Sequence, residues 1–110
     1  MAGRLARGEV RLYRFPLPDK ERPVVVLTRD TLIDRLSTVT IASITSSIRG
    51  AVSEVVLDED DGMKNTCAVN LHNTATVPQQ RLGRKVAKLS EERMSEICAA
   101  LRFSLGCDID

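Results

Sequence analysis

The chain has 110 residues, enough for one domain with a modest core, and its 43% hydrophobic and 28% charged residues exclude global disorder. A formal net charge of +1 excludes a bulk polyanion binder, and one Tyr, two Phe and no Trp exclude a surface that stacks many bases on aromatic rings. Three scattered cysteines (Cys67, Cys98, Cys107) and the single His72 exclude a four-ligand structural zinc site and point to a reducing compartment.

The charge is unevenly spread. Arg4, Arg7, Arg11 and Arg14 crowd the start, Arg81, Arg84, Lys85 and Lys88 a later stretch, and Glu54, Asp58, Glu59, Asp60 and Asp61 the middle. Such clusters make either solvated faces or a polarised binding surface. The first residues lack an apolar signal core, and no apolar run approaches membrane-spanning length, so a cytoplasmic location is expected. One domain over 1–110 is expected, with residues 1–6 flexible.

In chain order, alternation predicts a strand from Glu9 to Phe15, ended by Pro16 and Pro18. A polar turn over Asp19 to Glu21 leads into a second strand, about Arg22 to Thr28, whose valine run reads as buried. The stretch RDTLIDRL predicts one or two helical turns, with Asp30 as N-cap and Leu32, Ile33 and Leu36 as the apolar face. TVTIASITSS alternates as a strand, SIRG reads as a turn, AVSEVVLD as a strand and DEDDGMKN as an acidic loop. TCAVNLH and TATVP read as two short strands, and LGRKVAKL as a last one, with Arg84 and Lys88 on one face and Lys85 on the other.

The C-terminal stretch LSEERMSEICAALRFSLG predicts a helix. Met94, Ile97, Cys98, Leu101 and Leu105 recur at helical spacing, Ser90 is the N-cap, Glu91 and Glu92 complement the first turn, and Gly106 ends it. Many short strands and one helix give a mainly β chain with a C-terminal helix, a strongly bent sheet or open barrel.

Four blocks in this order carry a resemblance: RGEVRLYRF, RPVVVLT, ASITSS and the terminal RLGRKVAKLSEERMSEICAALRFSLG. Together they cover roughly residues 7–106, and the chain resembles the MazF/PemK family of toxin endoribonucleases. The resemblance implies a small PemK-like (SH3-like) open β-barrel working as a homodimer, with no cofactor or metal. It implies sequence-specific cleavage of single-stranded RNA, leaving 2′,3′-cyclic phosphate and 5′-hydroxyl ends and inhibiting translation and growth. It also implies neutralisation by a cognate antitoxin with an acidic disordered tail.

The resemblance assigns catalysis to Arg22 and Thr45. Metal-free RNA cleavage needs charge stabilisation on the phosphoryl oxygens and two proton transfers. A guanidinium is planar, bidentate and permanently charged, and Pro23 biases the preceding Arg22 toward extended backbone. A threonine hydroxyl can donate to a phosphoryl or leaving oxygen. On residue type alone, a strand-end arginine capped by an ion pair to Glu21 or Asp19 and an ordinary strand threonine are the alternatives.

The chain departs from the family in four places. Arg11 replaces an aromatic, Ser43 replaces a proline, and the loop PLPDKE is short for one that covers the RNA groove. In NLHNTATVP, His72 stands where the family has an acid, and Ala75 where an arginine follows. His72 is therefore a third catalytic candidate, because imidazole accepts and donates protons near neutrality. The RNA-binding candidates are Ser46, Asn73, Thr76, Arg84 and Lys85. The competing reading is a catalytically inactive barrel that binds RNA or protein. The gyrase-poisoning branch of the fold ranks last, since its terminal aromatic is absent from GCDID.

Overall fold

The computed structural model describes residues 4–16 and 20–108. Six strands form one antiparallel sheet: β1 (Glu9–Arg14), β2 (Glu21–Val26), β3 (Thr38–Thr45), β4 (Glu54–Leu57), β5 (Cys67–Pro78) and β6 (Lys85–Lys88). Their spatial order is β4-β5-β3-β2-β1-β6, so β4 and β6 lie at the two edges. A single-turn helix, α1 (Asp30–Ile33), joins β2 to β3, and α2 (Glu91–Leu105) closes the chain. The mainly β architecture with a C-terminal helix is the one the sequence predicts.

Period-two alternation divides the apolar residues between the two faces of the curled sheet. Val25, Ala42, Ile44, Val69 and Leu71 join Met94, Ile97 and Ala100 of α2 in the larger core. Val24, Val26, Val39 and Ile41 face the other way and pack with Leu5, Tyr13, Ile33 and Val77. The valine run of β2 is thus buried on both faces, with Val24, Val25 and Val26 all at 0% exposure. Full burial of such a side chain is worth roughly 1.5–3 kcal/mol.

Helix α2 starts and stops as its sequence dictates. The Ser90 hydroxyl accepts from the Arg93 N–H, and Gly106 takes the left-handed conformation at φ 77°. Leu105, expected on its apolar face, is exposed, and Ala100 is buried instead. The last turn is tied to β5 by the Ser104 hydroxyl, which donates to the Leu71 carbonyl at 3.1 Å.

Other expectations need correction. Asp30 is the first residue of α1, not its cap, and its carboxylate accepts from the Arg7 N–H at 2.8 Å. One helical turn presents one residue to the core, so only Ile33 is buried while Leu32 and Leu36 are exposed. Of the expected flexible lead, Leu5 packs in the smaller core and Arg4 pairs with Asp34. Residues 1–3 lie outside the described residues, as do 17–19, where the turn after β1 was expected.

Two bulges set the geometry. Along β6, Lys85 opposes Arg11 and Ala87 opposes Val10, so Val86 is extra and strict alternation fails. Lys85 and Lys88 are both exposed rather than on opposite faces. Along β5, Asn70 opposes Ser43 but Thr74 opposes Ala42, so residues 71–73 bulge out of one continuous strand. The two short strands read from the sequence are the two halves of β5 on either side of that bulge.

Candidate active site

The β2–β3 register brings two distant sequence blocks together. Val24 opposes Ser43. Continuing the ladder by two residues on each strand sets Arg22 across from Thr45 on the same face. Ser43 opposes Asn70 of β5, which adds Asn70 to that face. Tyr13 opposes Arg22 on the other side and stacks edge-on against Phe15, with ring centroids 4.8 Å apart.

Two cavities meet at Arg22 and Thr45. The first, about 600 Å³, is lined by Phe15, Arg22, Ser43, Thr45, Arg49, Ser53, Glu54, Asn70, His72 and Asn73 among others. The second, about 460 Å³, is lined by Lys20, Arg22, Thr45, Ser46, Lys64, Asn65 and Thr66 among others. Arg22, Ile44, Thr45 and Ser47 belong to both, so Arg22 and Thr45 stand on the ridge between two chambers.

Local hydrogen bonds aim the side chains. The Ser47 N–H donates to Thr45 Oγ1 at 3.1 Å, which uses one lone pair and leaves the Thr45 O–H to donate. The His72 N–H donates to Asn70 Oδ1 at 2.9 Å, which turns the Asn70 amide NH₂ outward as a donor. The bulge carries His72 and Asn73 to the first cavity, while Leu71 stays in the core. The loop from β3 to β4 is held from below. Glu54 Oε1 accepts from the N–H groups of Arg49, Gly50 and Ala51 at 3.1, 2.8 and 3.2 Å. Gly50 has φ +76°, which suits the turn to glycine.

Arg22, Thr45, His72 and Asn73 therefore share the first cavity, and Ser46 lies in the second. Thr76, Arg84 and Lys85 line neither. Thr76 is exposed opposite Thr40, and Lys85 turns to Glu9 at 3.8 Å. Asn70, Ser53, Arg49 and Lys64 were not singled out in the sequence. Asn70 was the most accessible of these, since it lies two residues before His72 in a strand.

Cys67 also lines the second cavity. Burial, reinforced by the negative charge of Asp61, pushes its thiol up from the usual range, so it stays protonated and is no nucleophile. Among the described residues, no three His, Cys, Asp or Glu side chains gather into a metal-binding group. No helix among them is long and apolar enough to cross a membrane.

The family model described as the PemK-like, MazF-like toxin of type II toxin-antitoxin systems matches residues 6–105. The chain belongs to this toxin family. Among its MazF relatives, the probable endoribonuclease MazF2 of Mycobacterium tuberculosis is 38% identical over 104 residues, covering 94% of this chain and all of the relative. The structure of Mycobacterium tuberculosis toxin MazF-mt6 superposes with a TM-score of 0.82 at 31% identity, covering 93% of this chain and 98% of that one. An endoribonuclease from a mycobacterial species, solved in complex with its cognate antitoxin, shares the MazF fold at TM-score 0.86 and 22% identity, with 96% and 99% covered.

Proposed function

We propose that this MazF-type toxin is a metal-independent endoribonuclease that cuts single-stranded RNA at the ridge formed by Arg22 and Thr45. One observation carries the reading: a permanent cation and a hydroxyl donor meet where two cavities join. A scissile phosphate on that ridge has room for one nucleotide on each side.

In the proposed reaction the 2′-oxygen bonds to phosphorus and the P–O5′ bond breaks. The products are a 2′,3′-cyclic phosphate and a 5′-hydroxyl. Arg22 holds the phosphoryl oxygens as charge builds, and the Thr45 hydroxyl donates to one of them. His72 takes the proton from the 2′-hydroxyl as general base, and water reached through the open cavity supplies the proton to the departing 5′-oxygen. Ser46 and Asn73 contact the RNA on either side of the ridge. Thr76, Arg84 and Lys85 contact only RNA that extends past both cavities.

The family name supports an antitoxin partner, proposed here as a protein whose acidic disordered tail competes with RNA for the ridge. We also assign a homodimer, a cytoplasmic location and inhibition of translation and growth as the cellular outcome. Cleavage of a long mixed-sequence RNA in EDTA, wild type beside Arg22→Ala, tests the reading. Discrete cuts by wild type alone, ending in cyclic phosphate, are expected. A folded wild type that makes no cuts overturns catalysis and leaves the RNA- or protein-binding barrel.

A further inference from the structure

Ser53 presents an unusual combination. It is 1% exposed, and its Oγ has no hydrogen-bond partner among the described residues. Buried hydroxyls are nearly always satisfied, because an orphaned one forfeits its hydration without return. Yet Ser53 belongs to the wall of the first cavity, beside Asn70 and His72. Its backbone is fixed, since the Ser53 carbonyl accepts from the Leu71 N–H at 2.9 Å, at the root of the β5 bulge. A change of χ1 between staggered positions is all that re-aims the hydroxyl.

We propose that Ser53 is a specificity-determining residue whose hydroxyl completes its hydrogen bonding on the edge of the RNA base lodged in the first cavity. The inference rests on the ribonuclease reading and names what that cavity reads. A hydroxyl both donates and accepts, so it can pair with a polar base edge. The adjacent Glu54 is anionic, so this wall gives a phosphate no attraction, and the cations of the cavity, Arg22 and Arg49, come from β2 and the β3–β4 loop. A neutral base edge fits both facts. The outward NH₂ of Asn70 supplies a second contact on the same wall.

A buried polar group left unpaired by the wrong ligand discriminates strongly. Ser53→Ala removes the orphan, so its melting temperature stays at or above that of wild type. Its kcat/KM on the preferred sequence falls at least about ten-fold, and the mapped cut sites lose their base preference at one position beside the cut. Ser53→Cys keeps the volume with a weak hydrogen-bonding group and is expected to behave like Ser53→Ala.

An unchanged cut-site profile in both variants overturns the proposal. So does a uniform fall on all sequences, which assigns the hydroxyl to ribose rather than base. Selection from a mixed pool of 2′-O-methyl RNA, which carries no attacking hydroxyl, reads the same preference as binding. If wild type cuts nothing but selects a base that Ser53→Ala does not, catalysis fails while the Ser53 assignment stands. If neither protein selects a base, the assignment fails.

Discussion

Arg11 and Arg22 sit on adjacent strands of one sheet, β1 and β2, and differ in what lies against them. Arg11 is buried, and its guanidinium is spent on the protein: Nε and Nη2 donate to Glu9 Oε1 at 3.0 and 2.9 Å, and Nη1 to the Gly83 carbonyl at 3.1 Å. It replaces an aromatic of the family pattern, and the Glu9 carboxylate makes that replacement tolerable. Arg22 lies near the open end of β2 and lines both cavities. What separates the two is not local basicity but whether a cavity lies against the side chain, and that is what makes Arg22 the one proposed for catalysis.

The contrast breaks most visibly on substitution. Arg22→Ala is expected to lower RNA cleavage by about 10²–10³-fold with little change in melting temperature. Arg11→Ala is expected to do the reverse. It leaves the nearly buried Glu9 carboxylate with only the Ala6 N–H and the more distant Lys85, and costs about 3–5 kcal/mol in denaturant unfolding. A stable Arg11→Ala protein, or an unfolded Arg22→Ala protein, breaks the comparison.

Within the cavity, the two proton-handling groups rank below Arg22. His72→Ala is expected to slow cleavage more than ten-fold. A His72→Ala protein that cleaves at the wild-type rate removes His72 from the mechanism. Thr45→Val, which keeps shape and loses the hydroxyl, is expected to lower kcat by about ten-fold with KM nearly unchanged, read by single-turnover kinetics.

A second paired region sharpens the comparison through pH. Burial alone pushes the Asp61 carboxyl up, but hydrogen bonds from Arg93 Nε and the Asp58 N–H, together with the Arg93 charge, outweigh it and hold the group below the usual carboxylate range. A carboxyl depressed in the folded state contributes stability above its unfolded pKa and loses it as pH falls through the folded value. Acid unfolding of Asp61→Asn should therefore show a shallower low-pH limb than wild type, with activity at neutral pH preserved. The smallest effect belongs to Lys85→Ala. Its half-exposed ammonium meets Glu9 only at 3.8 Å, so stability should move by no more than about 0.5 kcal/mol.

Much of this was legible in the sequence because it depends on local rules. The valine run, the alternation of TVTIASIT and the Ser90-to-Gly106 helix each encode their own geometry. Arg22 and Thr45 were legible because their blocks carry a family resemblance, and the β2–β3 register then joins them. The continuity of β5 was not, since three residues that leave the ladder look like a loop between two strands. Thr76, Arg84 and Lys85 were chosen by residue type, but sheet position decides what each can reach. Ser53 was invisible, because a missing hydrogen bond exists only once the surroundings are assembled.

The bulge at residues 71–73 also bears on how such a toxin diversifies. Leu71 is held in the core, but His72 and Asn73 line the cavity and occupy no ladder position, whereas the segments on either side, Ala68 to Asn70 and Thr74 to Pro78, stay paired with β3. Insertions, deletions and swaps there reshape the cavity wall without flipping the alternating faces of the sheet. The stretch is a socket in which a lineage can try new side chains against new targets while the scaffold inherits unchanged. Chimeras exchanging only the residues at positions 72 and 73 among relatives should stay folded while their cleavage preferences change hands.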